Sequence, residues 1–286
     1  MTSWSEATAR QRITGLLDAG SFSEFVPPEA RLSSPHLREL GQPAAFDDGV
    51  AVGQGLLKGQ PVLIAAQEGA FMGGAIGEVH GAKITGLLER ARRERLPVLL
   101  ALESGGVRLH EANAGLIAVS EIMRAILSCR AAGVPVIVLN GGRVGVFGGA
   151  GIATCLCDAV LMSEDARLGL SGPEVIETTM GVEEFDAADR ALVWRVTGGK
   201  NRAILGEVTL VDDDIAAFRD AIRLEATPLD LDAVEAEHAR LAARMERFGG
   251  MEDALDIWTA LGIETPEKVP LMDTHAFHAA VKGKTA

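Results

Sequence analysis

The sequence predicts an α/β protein built on a mostly parallel sheet, with a helical C-terminal part. Three observations predict it. Short apolar runs alternate with stretches of helical periodicity between residues 46 and 163, glycine pairs stand where the runs end, and strand signals fade after Leu170. With 48% hydrophobic residues in 286, the chain can bury a large core.

The first element is a helix over Glu6 to Asp18. It continues into the Pro-containing segment "FVPPEARLSSPHLREL", which reads as an arm over the domain surface and carries no identifiable chemistry. From Phe46, "FDDGVAVGQGLLKGQPVLIAAQEG" has two apolar runs around the turn signal "LKGQP", which predicts a strand hairpin. Ile76, Val79, Ile84, Leu87, Leu88 and Ala91 then keep approximate helical spacing before a β-rich run begins at Pro97. The unit repeats at once. Leu116, Val119, Ile122, Met123, Ile126 and Leu127 line one helical face, "GVP" ends that helix, and "VIVLN" is a buried strand. A third helix, about Gly149 to Cys157, precedes a third strand, "AVLMS". Strands joined through helices imply right-handed crossovers and a parallel sheet covered on both faces. Further on, "SGPEVIETTMG" opens a helix, 185–222 mixes helices with a short strand, Leu231 to Phe248 is strongly helical, and a mixed tail starts at Gly249. No clean linker divides the chain. The division expected is an N-terminal helix and arm over 1–45 and a single domain over 46–286.

Composition excludes several functions. A net charge of −13 spread over many segments disfavours a nucleic-acid backbone or a bare anionic membrane as partner. Aromatic residues at 4%, with no Tyr, argue against recognition by base or sugar stacking. Cys129, Cys155 and Cys157 form no CxxC pair and leave an odd count, so a disulfide framework or four-cysteine zinc site is not expected, and reduced cytosol fits best. No secretory signal pattern opens the chain, and its apolar runs fall short of the roughly 20 residues that span a bilayer.

The chemistry is sought in the glycine pairs of "ALESGGVRLHE" and "GRVGVFGGAGIAT". Glycine at a strand's carboxyl end lets a ligand approach main-chain N–H groups, and a helix starting there adds free donors and a dipole that favours negative charge. Two such corners at neighbouring strand ends can hold one developing oxyanion. The plainer alternative is that these glycines serve tight turns and close packing. Other motifs fail on their own terms. "GGAIGEVHG" is not G-x-G-x-x-G and has no acidic partner about 20 residues on, and "GQGLLKGQ" lacks the GK[ST] of a phosphate loop. Ser104 stands outside any GxSxG elbow and has no identifiable His–Asp pair. His80 and His110 are the histidines near the corners, each a candidate proton donor or a structural group.

These segments carry a resemblance. "ESGGVRLHEA", "GLIAVSEIMRAILSCRAAGVPVIVL", "GGAGIA" and "LGLSGPEVIETTMG" resemble, in order and spacing from about Gly69 to Gly181, the N-terminal half of an acyl-CoA carboxyltransferase. That family is crotonase-like, so the resemblance implies a ClpP/crotonase fold with stacked β-α-β units. Within it the sequence is most similar to the beta subunits of biotin-independent malonate decarboxylases. The four-cysteine zinc ribbon of the bacterial acetyl-CoA carboxyltransferase beta subunit is absent before Cys129, and so is the second crotonase-like half of the single-chain enzymes.

The resemblance therefore implies a subunit whose site is completed by a gamma subunit. It also implies an acyl carrier protein presenting malonyl thioester on a phosphoribosyl-dephospho-CoA arm, an acyl-carrier transferase alpha subunit, and no cofactor or metal bound by this chain. Residue by residue, Gly148 and Gly149 match the oxyanion-stabilising glycine pair, and Gly105 and Gly106 match the corner beside the acyl group. Ser104, Arg108, Ser171, Gly172 and Pro173 border the substrate, with Arg108 bracing its loop. Gly149→Pro is then expected to remove a donor, while Gly149→Ala keeps it and adds only a methyl group. Two other readings are a subunit of a biotin-dependent acyl-CoA carboxyltransferase and a non-catalytic scaffold for a carrier protein.

Overall fold

The structure, a computed structural model, describes residues 2–251 and 253–285. Helix α1 (Ala9–Leu16), strand β1 (Ser23–Glu24) and the short α2 (Pro35–Glu39) precede the hairpin β2 (Val50–Leu57) and β3 (Gln60–Gln67). Lys58 and Gly59 both take positive φ, as a two-residue turn matched to strand twist requires, and the Asp18 carboxylate accepts both of their N–H groups. Three β-α-β steps follow: α3 (Glu78–Glu94), β4 (Val98–Ala101), α4 (Asn113–Ala131), β5 (Val136–Asn140), α5 (Gly148–Cys155) and β6 (Ala159–Ser163). Then come α6 (Pro173–Met180), α7 (Arg190–Thr197), α8 (Gly199–Ile204), β7 (Thr209–Val211), α9 (Ile215–Ala221), α10 (Leu231–Phe248), α11 (Ala254–Ala260) and α12 (Thr274–Val281).

The strands form one sheet in sequence order, antiparallel from β1 to β3 and parallel from β3 to β7. Successive side chains on a strand point to opposite faces, so the continuous apolar runs feed two cores. Leu63, Ala65, Leu100 and Val138 pack under α3, α4 and α5, while Val62, Ile64, Leu99 and Ile137 pack under α1 and α9. The N-terminal helix is thus part of the second core, with Trp4, Ile13 and Leu16 buried. A third cluster joins Leu210 of β7 to Trp258, Val269 and Phe277, which makes the tail after Gly249 a packed helical unit.

One expected helix face needs correction. On α4 the buried stripe is Gly115, Ala118, Val119, Ile122, Ala125, Ile126 and Cys129, whereas Leu116 and Leu127 are exposed. Small residues win the interior because α3 and α4 approach closely: a Cβ on Gly81 of α3 would collide with Ala118.

Candidate functional site: two glycine corners above the sheet

Both glycine pairs lie beyond the carboxyl ends of the parallel strands, and the chain knits them together. Ser104, Val146 and Leu168, which follow β4, β5 and β6, bridge in parallel register. Ser104 N–H donates to the Gly145 carbonyl at 2.8 Å, and Phe147 N–H donates to the Ser104 carbonyl at 2.8 Å. Gly106 (φ +119°) and Gly148 (φ +59°) face each other, and a Cβ on Gly148 would stand 3.3 Å from the Gly106 Cα. A side chain is strained at either position by the positive φ, and at Gly148 it would also press on the facing corner.

The four glycines differ in what their N–H groups do. Gly105 N–H donates to the Gly73 carbonyl at 2.8 Å, Gly106 N–H to Ser104 Oγ at 3.1 Å, and Gly148 N–H to the Leu170 carbonyl at 2.9 Å. Gly149, in the first turn of α5, has no acceptor for its N–H among the described residues, and neither does Ala150. A free helix N-terminus with no acidic residue in its first turn leaves these donors and the helix dipole uncompensated. The site therefore offers adjacent N–H groups on one corner, held in place by the committed N–H groups of the other three glycines. A Cβ on Gly149 would stand 2.6 Å from Val119 Cγ1, so Gly149→Ala is not the simple methyl addition the sequence suggests.

The flanking residues sort by burial. Leu170, whose carbonyl holds Gly148, leads directly into Ser171, Gly172 and Pro173, with Pro173 opening α6. This brings the "SGPEVIE" segment beside the start of α5. Ser104 is buried and its Oγ accepts the Gly106 N–H, closing that turn. Arg108 is 1% exposed and its Nη1 lies 2.9 Å from Asp48 Oδ2 and 2.8 Å from Glu111 Oε1. Its side chain is buried in that ion cluster, and the residue also lines the groove that holds His110. Sequence reasoning missed the partners that do this work: Gly73 and Asp48 are far away in the chain, and "FMGG", with Met72, Gly73 and Gly74 all at positive φ, was the local signal available.

The two histidines separate as well. His110 is exposed on a groove of about 430 Å³ beside the first corner, shared with Gln42, Phe71, Met72 and Arg108. His80 is fully buried, its Nδ1 2.9 Å from the Asp48 carbonyl and its Nε2 2.9 Å from Gln67 Nε2. Gln67 Oε1 in turn accepts Glu103 N–H at 2.9 Å, which fixes His80 as the neutral Nδ1–H tautomer, with Nε2 accepting from Gln67. Burial, then the Arg108 guanidinium, push its pKa down to about 4 against the opposing pull of Asp48.

That pKa fixes the sign of a pH effect. The unfolded imidazole takes up a proton below about 6.5 and the folded one only below about 4, so His80 costs stability as pH falls through that window. The expected loss is about 3 kcal/mol, at 1.36 kcal/mol per pK unit. Urea melts of wild type and His80→Asn at pH 7.5 and pH 4.5 measure it, and equal losses in both proteins would remove the imidazole as the cause.

Among the described residues, no cluster of three or more His, Cys, Asp or Glu side chains could hold a metal ion, and no helix is long and apolar enough to cross a membrane.

Comparison with known proteins identifies the family and agrees with the fold. Residues 3–195 match the carboxyl transferase domain family. The malonyl-S-ACP:biotin-protein carboxyltransferase MADC of Malonomonas rubra is 41% identical, with 98% of this chain and 96% of that protein covered. A Pseudomonas malonate decarboxylase hetero-tetramer in complex with malonate contains a chain 42% identical, superposing with a TM-score of 0.78 over 89% of this chain and 95% of that one. A chain of the Pseudomonas MdcD-MdcE hetero-dimer matches at 41% identity and a TM-score of 0.66, over 84% of this chain and 96% of that one. The chain, with its crotonase-like arrangement of β-α-β units and paired glycine corners, belongs to the carboxyl transferase domain family, in the branch that holds the malonate decarboxylase subunits.

Proposed function

We propose that this chain is the malonate decarboxylase subunit that stabilises the enolate formed when a malonyl thioester on an acyl carrier protein loses CO2. The observation that carries the proposal is the free N–H of Gly149 at the start of α5, beside a corner whose own N–H groups are already committed. When the bond between the α-carbon and the carboxylate breaks, its electron pair moves into the thioester carbonyl and CO2 leaves. The carbonyl oxygen becomes anionic, and main-chain donors aimed at it lower the barrier. A proton then returns to the α-carbon and gives acetyl thioester. No step needs a nucleophile on this chain. Gly149 supplies the donor with Ala150 next to it, Gly105, Gly106 and Gly148 hold the two corners together, and Ser171, Gly172 and Pro173 border the acyl group. Ser104 and Arg108 act behind them. Residues 46–286 carry the carboxyltransferase-type site, and residues 1–45 add the arm and a helix that shares the second core with them.

The site is half of a larger one. Leu109, Leu116, Ile117, Ile152, Leu170 and Val175 are exposed large apolar residues on the segments around Gly149, and α10 buries only Phe248 of its 18 residues. Such a surface fits a partner subunit. The proposed partners are a gamma subunit that completes the site, an acyl carrier protein with its phosphoribosyl-dephospho-CoA arm, and an acyl-carrier transferase alpha subunit, all in the cytoplasm. The purified single chain is expected to be inactive on malonyl thioester, with activity returning when the partner subunits are added. Robust decarboxylation by the chain alone would count against the proposal.

A second reading rests on the Malonomonas relative, whose name makes biotin-protein the carboxyl acceptor. The enolate and its donors would be the same, and only the fate of the carboxyl group differs. The decarboxylase reading expects turnover unchanged by avidin and by chelators. Loss of turnover with avidin would move the assignment to carboxyl transfer.

A further inference from the structure

The N-terminal helix, which shows no chemistry in the sequence, reaches the site through one buried ion pair. Arg12 of α1 is 2% exposed, and its Nη1 lies 2.6 Å from Glu103 Oε2 while its Nε donates to the Trp4 carbonyl at 3.0 Å. Glu103 sits between the end of β4 and Ser104, where the chain turns into the first corner. Its other oxygen, Oε1, accepts Val144 N–H at 3.1 Å, in the loop between β5 and α5 that leads to the second corner. A Cβ on Gly69 or on Gly142 would collide with this carboxylate, so both segments are seated directly on it. On the other side of the loop, Arg167 Nη2 donates to the Arg143 carbonyl at 2.7 Å.

We infer that Glu103, held by Arg12, is a positioning residue that sets where the Gly149 N–H points. This rests on the enolate reading above. The loop from Gly141 to Phe147 contains Gly141, Gly142 and Gly145, so its own backbone preferences define it weakly, and an outside anchor has to. A carboxylate suits the position because one oxygen takes the guanidinium and the other takes the loop N–H, a charge-assisted bond stronger than a neutral one. The same residue is covalently part of the first corner, so its side chain adds to the main-chain bonds between Ser104, Gly145 and Phe147 a tie that also holds Val144. Small displacements there matter, since a misplacement of about 1 Å can cost about 10²-fold in rate.

A purely structural ion pair would predict loss of stability and nothing else, so the test separates charge from the loop anchor. In the assembled complex, Arg12→Met with Glu103→Gln strands no charge and keeps an acceptor for Val144 N–H. Arg12→Met with Glu103→Leu strands no charge and removes that acceptor. The Gln variant is expected to keep kcat within about threefold of wild type. The Leu variant is expected to lose about 10- to 10²-fold in kcat with KM little changed, the signature of an interaction that counts only in the transition state. Exchange of the amides in 142–149 should quicken in the Leu variant alone. If the Leu variant fails to assemble, Glu103→Asp replaces it: the carboxylate, withdrawn by one methylene, keeps its charge but cannot reach both partners, and the same loss in kcat is expected.

Equal kcat for the anchor-less and anchor-bearing variants overturns the inference. Gly149→Pro in a Val119→Ala background, which makes room for the added Cβ, distinguishes this failure from failure of the enolate reading. If that variant loses turnover while Glu103 variants do not, the positioning role alone is lost, and if Gly149→Pro is silent the enolate reading falls with it.

Discussion

Gly149→Pro, made in a Val119→Ala background and assembled with its partner subunits, is expected to lower malonyl-thioester turnover by roughly 10²–10³-fold, about 2.7–4 kcal/mol of transition-state stabilisation. Proline removes the one N–H among the four corner glycines that has no acceptor among the described residues. It does so in the first turn of α5, where a proline ring is compatible with helical φ and no intrahelical bond is lost. Val119 must be trimmed because any Cβ at position 149 meets its Cγ1 at 2.6 Å. The matched control is Gly149→Ala with Val119→Ala, which keeps the donor and has room for the methyl group, and it should turn over like Val119→Ala alone. Thermal melting of all three proteins checks that the comparison is made between folded subunits. A folded, assembled proline variant with near-normal turnover would return this glycine pair to tight-turn packing.

What the sequence made legible follows from how local each signal is. Strands β4 and β5 are buried along their whole length, so they read as short unbroken apolar runs, and the glycine corners stand out because they follow those runs directly. Which N–H is free was not legible, because it depends on carbonyls supplied by Gly73 to Gly105 and by Leu170 to Gly148. The braces were hidden for the same reason: Arg12 and Glu103 are 91 residues apart, and Arg108 and Asp48 are 60 apart. Nor does helical spacing alone tell a core from an interface. On α4 the large Leu116 faces outward and the small Gly115 and Ala118 face inward, an order set by the close approach of α3. An outward-facing apolar stripe of that kind is expected where a second subunit completes the site.

Arg108→Met is expected to cost about 3–5 kcal/mol of folding stability, because removing one partner of a buried ion cluster leaves uncompensated charge in a water-free place. Here two carboxylates, Asp48 and Glu111, lose the same guanidinium, and the pairs are fully buried. At roughly 2–4 °C per kcal/mol for a chain of this size class, the midpoint should fall by roughly 10 °C. The pH dependence supplies the sharper check. In wild type, burial raises the Asp48 carboxyl but the Ser34 N–H and the Arg108 guanidinium outweigh it and hold it below the usual range, so its stabilisation is present above the ordinary carboxylate pKa and is lost as pH falls below it. Without Arg108 part of the opposing pull on Asp48 is gone while the Ser34 N–H remains, so the Asp48 carboxyl moves up and its protonation on acidification relieves the variant. The gap between wild type and Arg108→Met should therefore be widest near neutral pH and narrow towards pH 5. Arg108→Lys should recover only part of the loss, since a single ammonium can pair with the carboxylates but lacks the second nitrogen, Nη2, that reaches the Asp48 carbonyl. A gap that stays constant from pH 8 to pH 5, or a midpoint unchanged by Arg108→Met, would show that these carboxylates do not depend on the guanidinium, and that the first glycine corner is held by its main-chain bonds alone.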